Sequence, residues 1–266
     1  MRHRLCAAIL AAAVRSGLGQ RRDDPGDVIN TRVRGFALLL AVLSLVGGGT
    51  AGAVARPLAH VHELRAAAKR PWSIGVAPAP CEDRAYRFIG AKWHKPYRWS
   101  FAVYTTPKSL SAPTVKAVLL KSFANLTGGR NDCGLSDRIG ATAQFVGESK
   151  LHPNCMEPDG HNVVGFGRLQ FGVLAVTCYW FNGGRMVEAD IKINSREAWA
   201  LSLSGCRNKA MFEATITHEA GHVFGLDHIG EKRHGRLTMS PFLDGPCENE
   251  EATLGLGDIL GLEALY

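Results

Sequence analysis

The chain has 266 residues, of which 46% are hydrophobic and 21% charged, and its formal net charge is +7 at pH 7. This composition is typical of a globular protein and excludes a disordered or collagen-like chain. Residues 1–55 contain seven Arg and three Asp, which leaves only +3 for the rest of the chain. No basic run interleaved with aromatic residues is present, so we expect no nucleic-acid partner.

The first 55 residues have the pattern of a leader. Two arginines precede the apolar run FALLLAVLSLVGGGTAGAVA, which ends at Ala53-Val54-Ala55, a small-x-small site typical of signal peptides. We predict cleavage after Ala55, secretion to the extracellular space and no stable membrane association afterwards. A transmembrane anchor is the alternative, but the second half of the run is weakly hydrophobic. Residues 1–31 are either an extended leader or the result of a start codon assigned too far upstream.

Cysteine usage agrees with export. Six cysteines follow the leader and none forms a C-x-x-C pair, which argues against a zinc ribbon or a thioredoxin-type site; they are Cys81, Cys133, Cys155, Cys178, Cys206 and Cys247. An even number in an oxidising compartment predicts three disulfides. We favour a Cys206–Cys247 pair, because these two bracket the histidine-rich stretch described below.

The remaining elements predict an α+β domain over 86–266. Residues 56–85 are rich in proline and predict a linker or a short pro-segment. Aromatic and β-branched residues predict four strands, at 98–106, 138–146, 172–181 and 185–194, and apolar periodicity predicts a helix at 112–129. Asn182-Gly183-Gly184 separates the last two strands and predicts an antiparallel hairpin.

The stretch THEAGHVFGLDHIG, residues 217–230, carries most of the chemistry. A helix is predicted from an N-cap at Asn208 to Phe224, because the segment contains good helix formers and no proline. His218 and His222 are then four residues apart on one helix face, where both imidazoles can bind one metal ion. Glu219 projects from the adjacent surface of the helix, within reach of a water on that metal.

A third histidine completes the predicted metal site. Gly225 ends the helix, since glycine tolerates a left-handed turn, and the reversed chain brings back His228. Three imidazoles leave the fourth position of a tetrahedral zinc open for water, whose pKa the metal lowers towards about 7. With Glu219 as general base, this arrangement predicts hydrolysis of peptide bonds in protein or peptide substrates. The alternative is a zinc-containing secreted binding or structural protein without proteolytic activity.

HEAGHVFGLDH resembles the H-E-x-x-H-x-x-G-x-x-H signature of the metzincin zinc metallopeptidases. RLTMSP supplies Met239 for the methionine turn that lies beneath the metal in that family. Pro241, two residues later, is similar to the matrixins, in which it belongs to the wall of the substrate pocket. LGLGDILGLEALY resembles the closing matrixin helix, so Asp258 is expected to support the methionine turn. Gly257 replaces a second aspartate of that pattern.

The resemblance implies a twisted, mostly parallel sheet with an antiparallel edge strand, an active-site helix and a C-terminal helix. Extended substrate would pair with the edge strand, LAVTCYWF, in a monomeric enzyme. Many matrixins carry a second, structural zinc, but only His152 and His161 lie in the relevant region, so we predict none. Three acidic residues offer calcium ligands, with plain solvation as the alternative; these are Asp159, Glu188 and Asp190.

Latency is the last expectation from the sequence. Vertebrate matrixins block their zinc with the cysteine of a Pro-Arg-Cys-Gly segment, which this chain lacks. Cys81 is the one cysteine placed to do the same, although a disulfide is the favoured role for it. The remaining histidines lack ligand spacing and are interpreted as surface residues; they are His60, His62, His94 and His234.

Overall fold

The computed structural model describes residues 58–66 and 77–266, which all belong to one compact unit, Ala53–Tyr266. The predicted leader, residues 1–55, lies outside the described residues. Within the described ranges, no helix has both the length and the apolar character needed to cross a bilayer.

A seven-stranded sheet is the centre of the fold. Its strands, with two short ones that pair separately, are Leu58–Ala66 (β1), Tyr97–Phe101 (β2), Ala143–Glu148 (β3), Val163–Gly167 (β4), Val173–Asn182 (β5), Arg185–Asn194 (β6), Trp199–Ala200 (β7), Ala210–Met211 (β8) and Phe242–Leu243 (β9). The order in the sheet is β3-β2-β4-β6-β5-β1-β9. Only β5 runs antiparallel to its neighbours, β6 and β1, and the other pairings are parallel. The predicted α+β class with a mostly parallel sheet is confirmed.

The hairpin predicted between β5 and β6 is present. Asn182 pairs with Arg185, and Gly183 and Gly184 form the turn with φ of 55° and 75°. Positive φ at both central residues is the requirement of the turn that matches the twist of a two-stranded hairpin. Glycine therefore fixes the register of β5, the strand that lies nearest the site.

Within the part of the chain that the structure describes, four helices accompany the sheet: Ala112–Thr127 (α1), Phe212–Val223 (α2), Glu231–His234 (α3) and Leu256–Leu265 (α4). All twelve residues of α2 are buried, and the helix packs against α1 and against β5. A helix buried all round is held by packing on every side rather than by its own propensity. Lys121 and Asn125 of α1 also bond Glu213 of α2, at 2.7 and 2.8 Å. The helix that carries the histidines is therefore rigidly placed.

The predicted start of this helix was wrong. Asn208 has φ of 49°, a left-handed conformation, and the helix begins after Met211. Residues 210–211 instead form β8, which pairs with β7. Tertiary pairing thus overrides the helix-capping preference of the asparagine.

Other differences lie in the strands. The strand predicted at 98–106 ends at Phe101 and is followed by a 3₁₀ turn over Val103–Thr105, and the one predicted at 138–146 is shifted to Ala143–Glu148. Strand β4 was not predicted, because two glycines interrupt it. A Cβ on Gly165 would lie 2.8 Å from the Cβ of Ala102, so glycine is needed there for close packing.

Strand β1 is the largest departure from the sequence prediction. It lies within 56–85, which the sequence predicts as a linker or short pro-segment. Eight consecutive residues, from Leu58 to Arg65, pair with β5 in antiparallel register, and the last two residues of the strand pair with β9. The strand expected at the edge, β5, is therefore covered by a segment of the same chain.

Three disulfides join all six cysteines after the leader: Cys81–Cys133, Cys155–Cys178 and Cys206–Cys247. The favoured Cys206–Cys247 pair is confirmed. Cys81 is engaged with Cys133 and is therefore not a free thiol that could block a metal.

We expect no reactive thiol in the exported protein. Alkylation under denaturing, non-reducing conditions, followed by mass spectrometry, should leave all six of these cysteines unmodified. Labelling of any one of them in a homogeneous sample would contradict the pairing.

Candidate metal centre

Helix α2 places the first two histidines and the glutamate. His218 and His222 are one helical turn apart, and both are buried, with exposed fractions of 1% and 0%. The helix ends at Val223 with Phe224 as its C-cap, and Gly225 follows with φ of 97°. A Cβ at that glycine would lie 2.5 Å from the carbonyl oxygen of Ala91. Glycine is thus required both by the backbone conformation and by the close neighbour.

The reversed chain brings His228 to the other two histidines, as predicted from its spacing. The Nε2 atoms of His218, His222 and His228 lie 3.0 Å from one another. Nitrogens that share one zinc at about 2.0–2.1 Å are roughly 3.4 Å apart in a tetrahedral site. The observed spacing is close to that value.

The hydrogen bonds on the far side of the rings explain which atoms face the centre. Nδ1 of His218 donates to the carbonyl oxygen of Thr238 at 2.7 Å, and Nδ1 of His222 donates to that of Leu226 at 2.9 Å. With the proton on Nδ1, a neutral ring presents a lone pair on Nε2. Lone pairs that face each other at 3.0 Å repel unless they share a cation. The three residues therefore fit a bound zinc ion.

Burial also keeps these rings neutral. It lowers the pKa of His218 and His222 well below the usual histidine value, and that of His228 to about 4. Neutral imidazole is the form that binds metals.

Glu219 lies in the same buried surface. Its side chain is fully buried, and Oε2 accepts a hydrogen bond of 2.5 Å from the hydroxyl of Thr177 on β5. Oε1 has no hydrogen-bond partner by distance and angle, and the N–H of Leu64 lies near the carboxylate. Burial raises the pKa of this carboxyl to about 8, and the bond from Thr177 opposes that shift. Thr177 thus fixes one oxygen of the carboxylate, and the other oxygen is the one available for proton transfer.

The segment after the histidines forms a floor beneath them. Met239 is 2% exposed, and a Cβ on Gly221 of α2 would lie 2.2 Å from its sulfur. The glycine inside the HEAGH motif therefore lets the helix approach the methionine closely. This packing sets the height of the helix above the turn.

Asp258 lies at the start of α4 and binds the same turn. Its carboxylate accepts hydrogen bonds from the backbone N–H groups of Thr238 and Gly255, each at 3.0 Å, and of Met239 at 3.3 Å. Burial raises the pKa of Asp258 to about 6, and these three donors oppose the shift. Since Thr238 holds the ring of His218, Asp258 acts on the metal centre through the turn.

Two neighbours of the centre were missed from the sequence. Thr177 was identifiable only as a hydroxyl within an otherwise apolar strand. His62 on β1 was interpreted as a surface residue, but its ring centroid lies 4.5 Å from that of His222 and 5.1 Å from that of His228. The signal for it was the alternation His60-Val61-His62, which places two histidines on one face of a strand.

Two further histidines that were interpreted as surface residues are half-buried and contact other side chains. His60 stacks on Tyr179 with ring centroids 5.4 Å apart, and Nδ1 of His234 lies 2.8 Å from a carboxylate oxygen of the buried Asp83. In both cases the partner lies far away in sequence, so local spacing gave no indication of it.

The acidic residues considered for calcium are engaged elsewhere. Glu188 accepts the backbone N–H groups of Asp159 and Gly160, and Asp190 accepts those of Asn154 and Val163. Backbone donors at these oxygens favour anchoring of the 153–163 loop over a calcium site. Among the described residues, the group of side chains with metal-ligand spacing is His62, His222 and His228.

Pro241 follows the methionine turn and is half-buried. Its carbonyl oxygen accepts a hydrogen bond of 3.1 Å from the backbone N–H of Arg65 on β1. This segment, together with β9, therefore borders the groove in which β1 lies.

The matrixin family model matches residues 167–266, which include β5, α2, the methionine turn and α4. Residues 167–266 are therefore similar to the matrixin metallopeptidases. The match covers every residue of the predicted zinc site, whereas β1, β2, α1 and β3 lie outside it. Among curated proteins, comparison with the matrixin-like chain finds no significant match.

Proposed function

We propose that the matrixin-like chain is a secreted zinc-dependent endopeptidase, in which His218, His222 and His228 hold the metal and Glu219 is the general base. One observation carries the proposal. Three Nε2 atoms converge at 3.0 Å, beside a buried carboxylate with one unbonded oxygen. A structural metal site has no use for such a carboxylate.

Each side chain of the proposed site has a distinct role. Bound zinc would supply a Lewis acid and would activate water at neutral pH. Glu219 accepts the proton of the attacking water on Oε1 and delivers it to the leaving amine. Thr177 holds Oε2 and so fixes the direction in which the other oxygen points. Met239 and Asp258 hold the histidines in place from below.

The groove beside the centre fits an extended polypeptide. It runs between β5 on one side and the Pro241 carbonyl and β9 on the other, and it holds β1 in extended form. Backbone hydrogen bonding to a strand edge is a general mode of peptide recognition. We therefore propose protein or peptide substrates, with Pro241 in the wall of the pocket.

Three disulfides and the signal-like run at the N-terminus support secretion. We further propose that the protein is a monomer that binds neither nucleic acid nor, stably, a membrane. The net charge of only +3 after the leader supports this. The second candidate, a zinc-containing binding or structural protein, shares the metal site and differs only in lacking hydrolysis.

Digestion of an unfolded protein distinguishes the two candidates. Purified protein should generate new internal peptide ends, identified by mass spectrometry, and a zinc chelator should abolish them. Intact substrate retained on the protein in a pull-down, with no new ends for wild type or for the His62→Ala variant described below, would instead support the binding protein.

His222→Ala should remove the zinc. The protein should hold one zinc per chain, because three neutral nitrogens converge on one point, and the variant should retain less than a tenth of it by elemental analysis. His94→Ala, at an exposed histidine outside the site, is the control and should retain full occupancy. Two tightly held zincs per chain, or zinc unchanged in His222→Ala, would contradict the site.

A further inference from the structure

Strand β1 occupies the groove that the proposed function assigns to substrate. It runs antiparallel to β5 over eight residue pairs and parallel to β9, and the N–H of Arg65 bonds the Pro241 carbonyl oxygen at 3.1 Å. Both edges of the groove thus bond the same short segment. No other polypeptide can pair with β5 while β1 is in place.

Alternate side chains of β1 pack towards the interior of the molecule. His60 and His62 both stack on Tyr179, at 5.4 and 5.5 Å between ring centroids, and Leu64 is 1% exposed within the main core. Val61, on the opposite face, is 51% exposed. The strand therefore buries the face that carries its two histidines and leucine.

His62 is the residue of this face that reaches the metal ligands. Its ligand nitrogen and those of His222 and His228 all lie within 4.8 Å of one another. Its Nδ1 also lies 3.5 Å from a carboxylate oxygen of Asp227, the residue before His228. That group does not include His218, so the side chain of His62 has to move for all four nitrogens to share one ion.

We propose that His62 is the fourth ligand of the metal and that Leu58–Ala66 are a built-in occupant of the substrate groove, which holds the enzyme latent. The inference rests on the proposed zinc site. Four imidazoles close the coordination shell, so no position is left for water, and a closed shell is characteristic of structural rather than catalytic zinc. The strand also blocks the backbone pairing that substrate needs. Release of the segment would free both the fourth coordination position of the metal and the edge of β5.

The coordination can be tested without reference to activity. In a Glu219→Gln background, which prevents self-cleavage, cobalt(II) replaces zinc and the visible absorption spectrum reports the ligand set. His62→Ala should change that spectrum and weaken cobalt binding by at least about tenfold. His60→Ala is the matched control, since it removes a histidine stacked on the same tyrosine, and should leave spectrum and affinity unchanged. Identical spectra for the two variants would overturn the proposal.

Latency is tested with Glu219 intact. If the segment is docked in about 90–99% of molecules, His62→Ala should raise cleavage of an unfolded protein by roughly ten- to a hundredfold, because the competent fraction sets the apparent rate. His60→Ala should give a smaller increase. Equal activity of His62→Ala and wild type would overturn the latent role.

The segment could instead be a substrate, since the N–H of Leu64 lies near the Glu219 carboxylate. Mass spectrometry of zinc-loaded wild type would then show a cut immediately before Leu64, and this result would also overturn the proposal.

Failure of the proposed function gives a different experimental result. If no variant cleaves anything while the cobalt spectrum still depends on His62, the peptidase is disproved and the fourth ligand is supported. A chain that binds no metal would overturn both.

Discussion

Glu219→Gln should lower the hydrolysis of an unfolded protein by at least about a hundredfold, because loss of general-base catalysis costs about 10² to 10⁴ in rate. The amide has nearly the same shape and can still accept the hydrogen bond from Thr177. It cannot accept a proton from the attacking water. Fold and zinc occupancy should therefore be unchanged.

The comparison needs kinetics and elemental analysis on the same samples, in wild type and in the His62→Ala background. Glu263→Gln on α4 makes the same change of charge outside the site and should retain full activity. If Glu219→Gln cleaves as fast as its parent, another residue is the base. If the Glu219→Gln variant loses its zinc, its rate no longer reports proton transfer by the carboxylate. Glu219 then helps to bind the metal.

Asp258→Ala should destabilise the fold by about 3 kcal/mol or more, since a buried donor without an acceptor costs about 1–3 kcal/mol. The substitution leaves three backbone N–H groups unbonded, those of Thr238, Met239 and Gly255. Total stability of a domain is only about 5–15 kcal/mol. The turn that holds the ring of His218 should loosen, so zinc affinity should fall as well.

Denaturant unfolding of the zinc-loaded protein measures this effect. Asp258→Asn retains one side-chain oxygen and should lose less stability than Asp258→Ala. Equal stability of wild type and Asp258→Ala would show that the buried carboxylate does not support the methionine turn.

The convergence of His218, His222 and His228 was predictable because these residues are close together in sequence. Helical spacing places His218 above His222, and Gly225, two residues after the last helical residue, returns the chain at His228. No knowledge of the sheet is needed for either step. Asp258 and Pro241 came only through resemblance, since nothing local shows that they approach the histidines.

What could not be predicted depends on contacts between distant segments. His62 reaches the metal ligands because β1 pairs with β5, more than a hundred residues later in the chain. Its flanking prolines and charges are typical of a linker, and they concealed a nine-residue strand. Asn208 shows the same limit at shorter range, because the pairing of β8 with β7 moved the start of α2.

The most direct test of the central claim is a zinc titration of metal-free protein during hydrolysis of an unfolded substrate, carried out on the His62→Ala variant and on wild type. We predict that the rate of His62→Ala rises linearly up to one zinc per chain and then stops, and that it falls to background when His228→Ala is added. The rate of the wild-type protein should also stop rising at one zinc per chain, but at a lower value. Hydrolysis that persists without zinc, or one tightly bound zinc with no hydrolysis in either protein, would contradict the account.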